Sequence, residues 1–333
     1  MRDLAKTSVT DGSGMIRIAV VEQLGAEPVV RSRPAPHPGA GQVLVRMRAA
    51  ALNFADLLKA QGQYQERQDP PFVPGLEGAG EVVSAPGDSG LRPGDRVAVL
   101  APGTMAELVA VAPGACTPIP DAMTLDQAAG FQIAYGTSHL ALAHLARLRP
   151  GQVLAVLGAA GGVGLTAVEI GHALGARVIG VARGQDRLAV VRQAGAGHVI
   201  DSADCPDLKA ALRDLGGVDV VYDAVGDAAG EAAFRAMNAG GHFLVIGFAG
   251  GRPPVLPLNH ALVKNISIHG FYWGGYARLD PQAVSDSMAD LFGMFRDGRL
   301  APVTGQAMPL DRIADAFDLL RSRRSVGKIV VAL

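Results

Sequence analysis

The stretch Val153-Leu-Ala-Val-Leu-Gly-Ala-Ala-Gly-Gly-Val-Gly164 leaves this chain little choice of fold. Five apolar residues make a buried strand, small residues turn the chain, and a helical pattern begins at once. Val163, Ala167, Ile170 and Leu174 recur at helical spacing, and Gly175 closes the helix. The turn runs Gly158, Ala159, Ala160, Gly161, Gly162, Val163, Gly164, and its residues Ala159, Gly161 and Gly164 keep the spacing of a dinucleotide-binding loop. A Cβ at Gly161 would block close approach of a pyrophosphate, and one at Gly164 would push the helix off the strand. The N–H groups and dipole at the helix start then hold phosphates. Strand before and helix after distinguish this loop from a chance spacing of glycines.

A chain of 333 residues is long enough for about two domains. With 49% hydrophobic and 18% charged residues it can bury a sizeable core, which excludes wholesale disorder. The 30 basic and 31 acidic side chains give a net charge of -1, so nothing draws it to nucleic acid or to an anionic membrane. Two cysteines, Cys116 and Cys205, make no disulfide framework and fit a reducing, cytoplasmic compartment. No apolar run reaches the roughly 18 residues of a spanning helix. Residues 1–14 lack the apolar core of a secretory signal and read as a polar extension, with strand-like sequence starting at Met15.

From Met15 to about Pro120 short strands alternate with Gly and Pro, most clearly at 42–48, 80–83 and 96–100. One helical segment, 54–61, interrupts this β-rich region. From about Asp121 the pattern changes. Strands at 153–157, 177–181, 198–200, 218–222 and 242–246 alternate with helices at 162–174, 185–194, 207–215 and 230–237. Alternation of that kind makes a doubly wound parallel sheet. A strand at 266–269 follows, then an amphipathic helix lined by Val284, Met288, Leu291 and Phe295. A second, lined by Ile313, Ala316, Phe317 and Leu320, precedes a terminal strand at 328–331 that returns to the first domain.

Seven blocks now stand in order: Ala51-Leu-Asn-Phe-Ala-Asp56, Pro71-Phe-Val-Pro-Gly-Leu-Glu-Gly-Ala-Gly80, Ala134-Tyr-Gly-Thr137, the turn 158–164, Tyr222-Asp-Ala-Val-Gly226, Val245-Ile-Gly-Phe-Ala-Gly250 and Gly327-Lys-Ile-Val330. Together they resemble the medium-chain dehydrogenase/reductase superfamily, and within it the zinc-free NADPH:quinone oxidoreductase branch. The resemblance implies an α/β protein with a GroES-like β-rich domain (15–122 and 266–333) and a Rossmann doubly wound parallel sheet domain (123–265), the active site lying in the cleft. It also implies a homodimer, since related proteins pair sheets at the strand 266–269.

Zinc members of the superfamily carry a catalytic Cys where Asn53 stands and a His where Leu76 stands. Neither residue ligates zinc, and the four close-set cysteines of a structural zinc lobe are missing from this sequence. No metal is therefore expected. Without a Lewis acid, alcohol oxidation lacks a means of stabilising an alkoxide. Reduction of a quinone or conjugated enone needs one less, because the acceptor's own π system spreads the charge.

NAD enzymes carry an acid at the end of the second strand for the ribose diol. Here that strand ends Gly180-Val-Ala-Arg-Gly-Gln-Asp-Arg187, with Arg183 and Arg187 suited to a 2′-phosphate. NADPH is the expected cofactor. Asp186 either opens a helix or reaches the ribose, and Ser202, standing where the family has a tyrosine, offers the phosphate a hydroxyl.

By resemblance, Asn53 and Asp56 form the floor of the substrate cleft, Asn53 donating an N–H to a carbonyl oxygen that becomes enolate-like. Asp56 orients neighbours or water, or else caps a helix. Tyr64 is a phenolic donor or a loop aromatic; family members often place a tyrosine where this chain has Leu58, so the proton donor stays open. Thr137 approaches the nicotinamide or caps a helix. Gly247, Phe248 and Ala249 leave a strand end where backbone contacts to the nicotinamide amide are made. Phe271 and Trp273, in Phe271-Tyr-Trp-Gly274, either wall the cleft and stack on a flat acceptor or pack in a core or dimer contact. Two other outcomes stay open. One is an enoyl-thioester or haloacrylate reductase, which needs an anion site near Lys59, Arg67 or Arg278. The other is a non-catalytic NADPH-binding structural or interaction protein.

Overall fold

The computed structural model describes residues 14–333; the rest of the expected polar extension, residues 1–13, lies outside the described residues. The chain forms two compact units. One runs through Gln132 and resumes at Val303–Leu333; the other is Ile133–Pro302.

The first unit is β-rich. Its strands are β1 (Met15–Val20), β2 (Val29–Pro34), β3 (Val43–Leu52), β4 (Glu77–Ser84), β5 (Arg96–Leu100), β6 (Leu108–Val111) and β7 (Cys116–Pro118). β1 and β2 pair antiparallel. β3 is the axis of the larger sheet. It pairs antiparallel with β4 and with the chain's last strand, and β6 adds to it as well. Strand β3 alternates one face into a core of Val43, Val45 and Met47, then ends in the wholly apolar run Ala49–Leu52. Small residues suit that end, because neighbouring strands and a helix close over both faces there. The helix Phe54–Ala60 follows β3 directly and buries Leu57 and Ala60 against Phe72, Ile313 and Phe317.

The second unit is a six-stranded parallel sheet. Its strands are β8 (Val153–Leu157), β9 (Arg177–Ala182), β10 (His198–Asp201), β11 (Val218–Asp223), β12 (Met237–Val245) and β13 (Ser267–Gly270), in the order β10-β9-β8-β11-β12-β13. All five pairings are parallel. Every residue of β8 is buried, as a central strand covered on both faces requires. The order runs outward from β8 one way and from β11 the other, so the switch point lies between these two strands. Ligands of doubly wound sheets bind beyond the carboxyl ends of the strands at that point.

The first unit closes with β14 (Thr304–Pro309), the helix Ile313–Arg321 and β15 (Lys328–Ala332). The sequence pattern gives no sign of β14. The family resemblance groups residues 266–302 with the β-rich domain, whereas they pack in the parallel-sheet unit. The reason is the ladder: β13 runs parallel to β12 with Ser267 opposite His242, which ties it to that sheet. The long helix Pro281–Arg296 then starts on an Asp280 carboxylate that accepts from Ala283 N–H at 3.0 Å. The helix expected at 230–237 begins earlier, at Asp227, because the Asp223 carboxylate ties the preceding turn by accepting from Val225 and Gly226 N–H. Met237 opens β12 instead of ending that helix.

Among the described residues, no helix is long and apolar enough to cross a membrane.

Candidate active site

In the β-rich unit the antiparallel register brings one end of three strands together. β3 ends at Leu52, β4 begins at Glu77 opposite Ala51, and β15 begins at Lys328, one residue before Ile329 pairs with Leu52. Asn53, Glu77 and Lys328 therefore converge, and all three are buried. Lys328 Nζ donates to Asn53 Oδ1 at 2.6 Å and to Glu77 Oε1 at 2.8 Å. Asn53 Nδ2 donates to the same Glu77 Oε1 at 3.0 Å. Chemistry fixes the amide orientation here, since an ammonium only donates and a carboxylate only accepts. One N–H of the amide goes to Glu77; the second makes no hydrogen bond among the described residues.

Asp56 stands beneath this cluster. Its Oδ2 accepts from Asn53 N–H at 2.8 Å and its Oδ1 from Gly75 N–H at 3.0 Å. Burial pushes its carboxyl up to about 6, against the opposing pull of Asn53 N–H, Lys328 and Gly75 N–H. Both oxygens face backbone donors, so the geometry makes Asp56 an orienting group and a helix-start acceptor. Gly75 reaches it at a φ of +99°, and a Cβ there would sit 2.4 Å from Thr104 Oγ1. Only glycine fits. Tyr64 is half-buried in a bend with Lys59 Nζ 5.3 Å from its ring centre, a cation–π contact that anchors the aromatic.

In the parallel-sheet unit, Gly161 is the N-cap of the helix Gly162–Ala173, and no side chain caps it. The first-turn N–H groups beyond β8 thus lack a side-chain partner, as a phosphate cradle requires. A Cβ on Gly164 would stand 2.1 Å from the Gly158 carbonyl oxygen, which is the close helix–strand packing the spacing implied. Arg183, exposed, follows the end of β9, and Ser202, also exposed, follows β10 and donates its N–H to Ala182 O at 2.8 Å. That bond brings the two residues side by side. Arg187 is half-buried in the helix Gln185–Gln193; Asp186 lies in the first turn of that helix, where a carboxylate complements the dipole. Gly247 and Ala249 N–H groups donate back to Asp223 O and Ala224 O, and Phe248 projects into solvent with 41% of its surface exposed.

Thr137 is buried well inside the helix Gln132–His139, so it caps nothing. Phe271 and Trp273 are both buried; Phe271 packs on Tyr276 with ring centres 5.4 Å apart, and Trp273 opens the helix Trp273–Leu279. A Cβ on Gly136 would fall 2.7 Å from Trp273 Nε1, so this indole lies against the helix that carries Thr137. Trp273 Nε1 is buried with no hydrogen-bond partner among the described residues.

The fold and its site have known relatives. A GroES-like alcohol dehydrogenase domain matches residues 39–121 and a zinc-binding dehydrogenase domain matches residues 162–291. The chain is 36% identical to a quinone oxidoreductase-like protein 2 homolog of Nematostella vectensis, over 96% of this chain and 90% of that one. It belongs to the zinc-free quinone oxidoreductase branch of the medium-chain dehydrogenase/reductase superfamily. Among solved structures, a probable oxidoreductase from Mycobacterium abscessus superposes on this oxidoreductase with a TM-score of 0.87 at 33% identity, covering 96% of this chain and 99% of the other. The quinone oxidoreductase of Thermus thermophilus, solved also with NADPH, does so at 0.85 and 31% identity, covering 95% and 100%.

One of the two matching domains takes its name from zinc, and the residues here do not fit that ion. Zinc takes thiolate, imidazole or carboxylate ligands. Asn53 brings an amide and Leu76 a hydrocarbon, while the Glu77 carboxylate is engaged by Lys328. Among the described residues no group of three or more His, Cys, Asp or Glu could hold a metal ion.

Sequence reasoning missed Glu77, Lys328 and Asp201. The first two had a signal: a lone charge at the edge of an apolar strand, in Leu76-Glu-Gly and in Gly327-Lys-Ile-Val-Val. Asp201, closing β10, accepts from Gly184 N–H and Ala203 N–H at 3.0 Å each and from Gln185 Nε2 at 3.3 Å. Gly184 N–H leads the contacts that hold its carboxyl below the usual range. Asp201 thereby shapes the turn that presents Arg183.

Proposed function

We propose that this oxidoreductase passes a hydride from NADPH to a quinone or an α,β-unsaturated carbonyl without a metal. The observation that carries the reading is the Asn53 amide, buried, held by Lys328 and Glu77 and with one N–H in no hydrogen bond among the described residues, at the position where zinc relatives place a ligand. When bound, the dihydronicotinamide supplies the hydride. The uncapped N–H groups at Gly162–Gly164 hold the pyrophosphate, and Arg183 with Ser202 holds the 2′-phosphate.

Asn53 donates to the acceptor's carbonyl oxygen, whose negative charge grows as hydride arrives at the far end of the conjugated system. The acceptor gains the hydride at carbon, its π pair moves onto oxygen, and a proton from water completes the product. Asp56 keeps the Asn53 backbone in place and transfers no proton, since both its oxygens accept from backbone N–H. Burial of the amide makes its hydrogen bond worth more than it would be in water.

NADPH oxidation, followed at the nicotinamide absorbance against quinones, enones, enoyl-CoAs and aldehydes, tests this, with NADH in parallel and a chelator control. Chelator-resistant turnover of quinones or enones with NADPH is the expected result. NADPH binding with no turnover of any acceptor would overturn the reading.

A further inference from the structure

Resting on that reductase reading, we propose that Lys328 is a positioning residue of the reaction, its buried ammonium holding the Asn53 amide in its donating orientation and strengthening its N–H toward the acceptor. Three observations carry it. Lys328 Nζ is bonded to Asn53 Oδ1 at 2.6 Å, and Asn53 Nδ2 to Glu77 Oε1 at 3.0 Å, so both ends of the amide are specified by charged partners. A rotation of the amide by half a turn would set its N–H groups against an ammonium and its oxygen against a carboxylate.

The second is polarisation. A cation on the amide oxygen draws charge from the nitrogen and makes its hydrogens better donors, and hydrogen bonds in series strengthen one another in a low dielectric. As negative charge grows on the acceptor oxygen, the chain acceptor–Asn53–Lys328 leads that charge to a cation. Lys328 thus supplies through an amide part of what a metal supplies directly.

The third is the setting. Lys328 has 9% of its side chain exposed and Glu77 1%, and a buried ion pair of this kind is weak evidence for stability, since apolar replacements often do as well. Its stem lies along Gly130, where a Cβ would come within 3.1 Å of Lys328 Cβ. Stability therefore does not by itself call for this ion pair, which stands beside the one amide assigned to the acceptor.

The test compares wild type with a neutral pair, Lys328→Met with Glu77→Gln, which avoids leaving Glu77 buried and uncompensated. Melting temperature and NADPH affinity report on the fold and the cofactor site. Steady-state kinetics use a simple benzoquinone and a weakly activated enone, each alone and in an Asn53→Ala background. Expected is a folded protein with NADPH Kd within about twofold, acceptor KM within about threefold, and kcat lower by about thirtyfold, with the larger loss on the enone. In the Asn53→Ala background the same change should lower kcat by less than about threefold, because the lysine acts through that amide.

A folded neutral pair with kcat within about threefold of wild type would overturn the proposal, as would an equal fractional loss with and without Asn53. Lys328→Gln with Glu77→Gln, which keeps a donor toward both partners and loses both charges, serves as a second variant under the same criteria if the first pair does not fold. A wild-type protein that reduces neither acceptor overturns the reductase reading, whereas an active wild type with an indifferent neutral pair overturns the role of Lys328 alone.

Discussion

Lys328 Nζ and Asn53 Oδ1 lie 2.6 Å apart although 275 positions separate them in the chain. The contact exists because β3 ends where β15 begins, the two strands running antiparallel with Ile329 opposite Leu52. Asn53 is also held from behind, its own N–H donating to Asp56. Backbone and side chain are thus fixed independently, and the amide meets a ligand with little freedom left to lose. Preorganisation of that kind is what electrostatic stabilisation of a developing charge requires.

Asn53→Ala removes the donor and keeps the strand end. Turnover should fall by about tenfold to a hundredfold while NADPH affinity changes by less than about twofold. Stopped-flow kinetics with a fluorescence titration of NADPH separate the two quantities. Unchanged turnover would take Asn53 out of the mechanism.

Arg183→Ala bears on cofactor choice. Arg183 is exposed beside Ser202, and Asp201, the acid near it, is occupied by backbone N–H groups and Gln185. The substitution should raise the KM for NADPH by about tenfold or more and leave that for NADH within about threefold. Equal effects on both nucleotides would remove Arg183 from the phosphate site.

The parallel-sheet unit was legible in the sequence because its information is local. An apolar run, a glycine turn and a helical repeat each lie within about a dozen residues, and alternation of strands with helices makes a doubly wound parallel sheet. The polar cluster was only half legible. Asn53 and Asp56 came through the family resemblance of the block Ala51–Asp56, whereas Glu77 and Lys328, in two other such blocks, reach them through strand register, which hydrophobic spacing does not specify at strand ends. β14 escaped notice for a related reason. Its sequence, Thr304-Gly-Gln-Ala-Met-Pro309, has no alternation, and its partner β15 alone makes it a strand.

Gly164→Ala tests the packing of the nucleotide turn. Alanine favours a helix over glycine by about 1 kcal/mol, but its Cβ would come to 2.1 Å from the Gly158 carbonyl oxygen and 2.9 Å from Ala159 Cα, both backbone atoms that yield little. The clash should win. Net destabilisation of about 1–3 kcal/mol is expected in urea melts, together with loss of NADPH affinity as the helix start leaves the strand end. A variant as stable as wild type, with unchanged NADPH binding, would refute the packing account.

Asp56 supplies a pH signature. Its folded-state carboxyl titrates near 6 because it is buried, against an ordinary value of 3.8. The folded chain therefore binds the proton more tightly than the unfolded chain does. The stability this group contributes is fully present below about pH 4 and is lost as pH rises through about 6, amounting to no more than about 3 kcal/mol. Asp56→Asn cannot ionise. It also turns an N–H toward a backbone donor, so the variant should be less stable than wild type at acidic pH. The gap between them should narrow from pH 4 to pH 7, as ionisation penalises the wild type alone. Urea midpoints of both proteins across that range measure it, and a gap independent of pH would mean that Asp56 titrates at its ordinary value despite its burial.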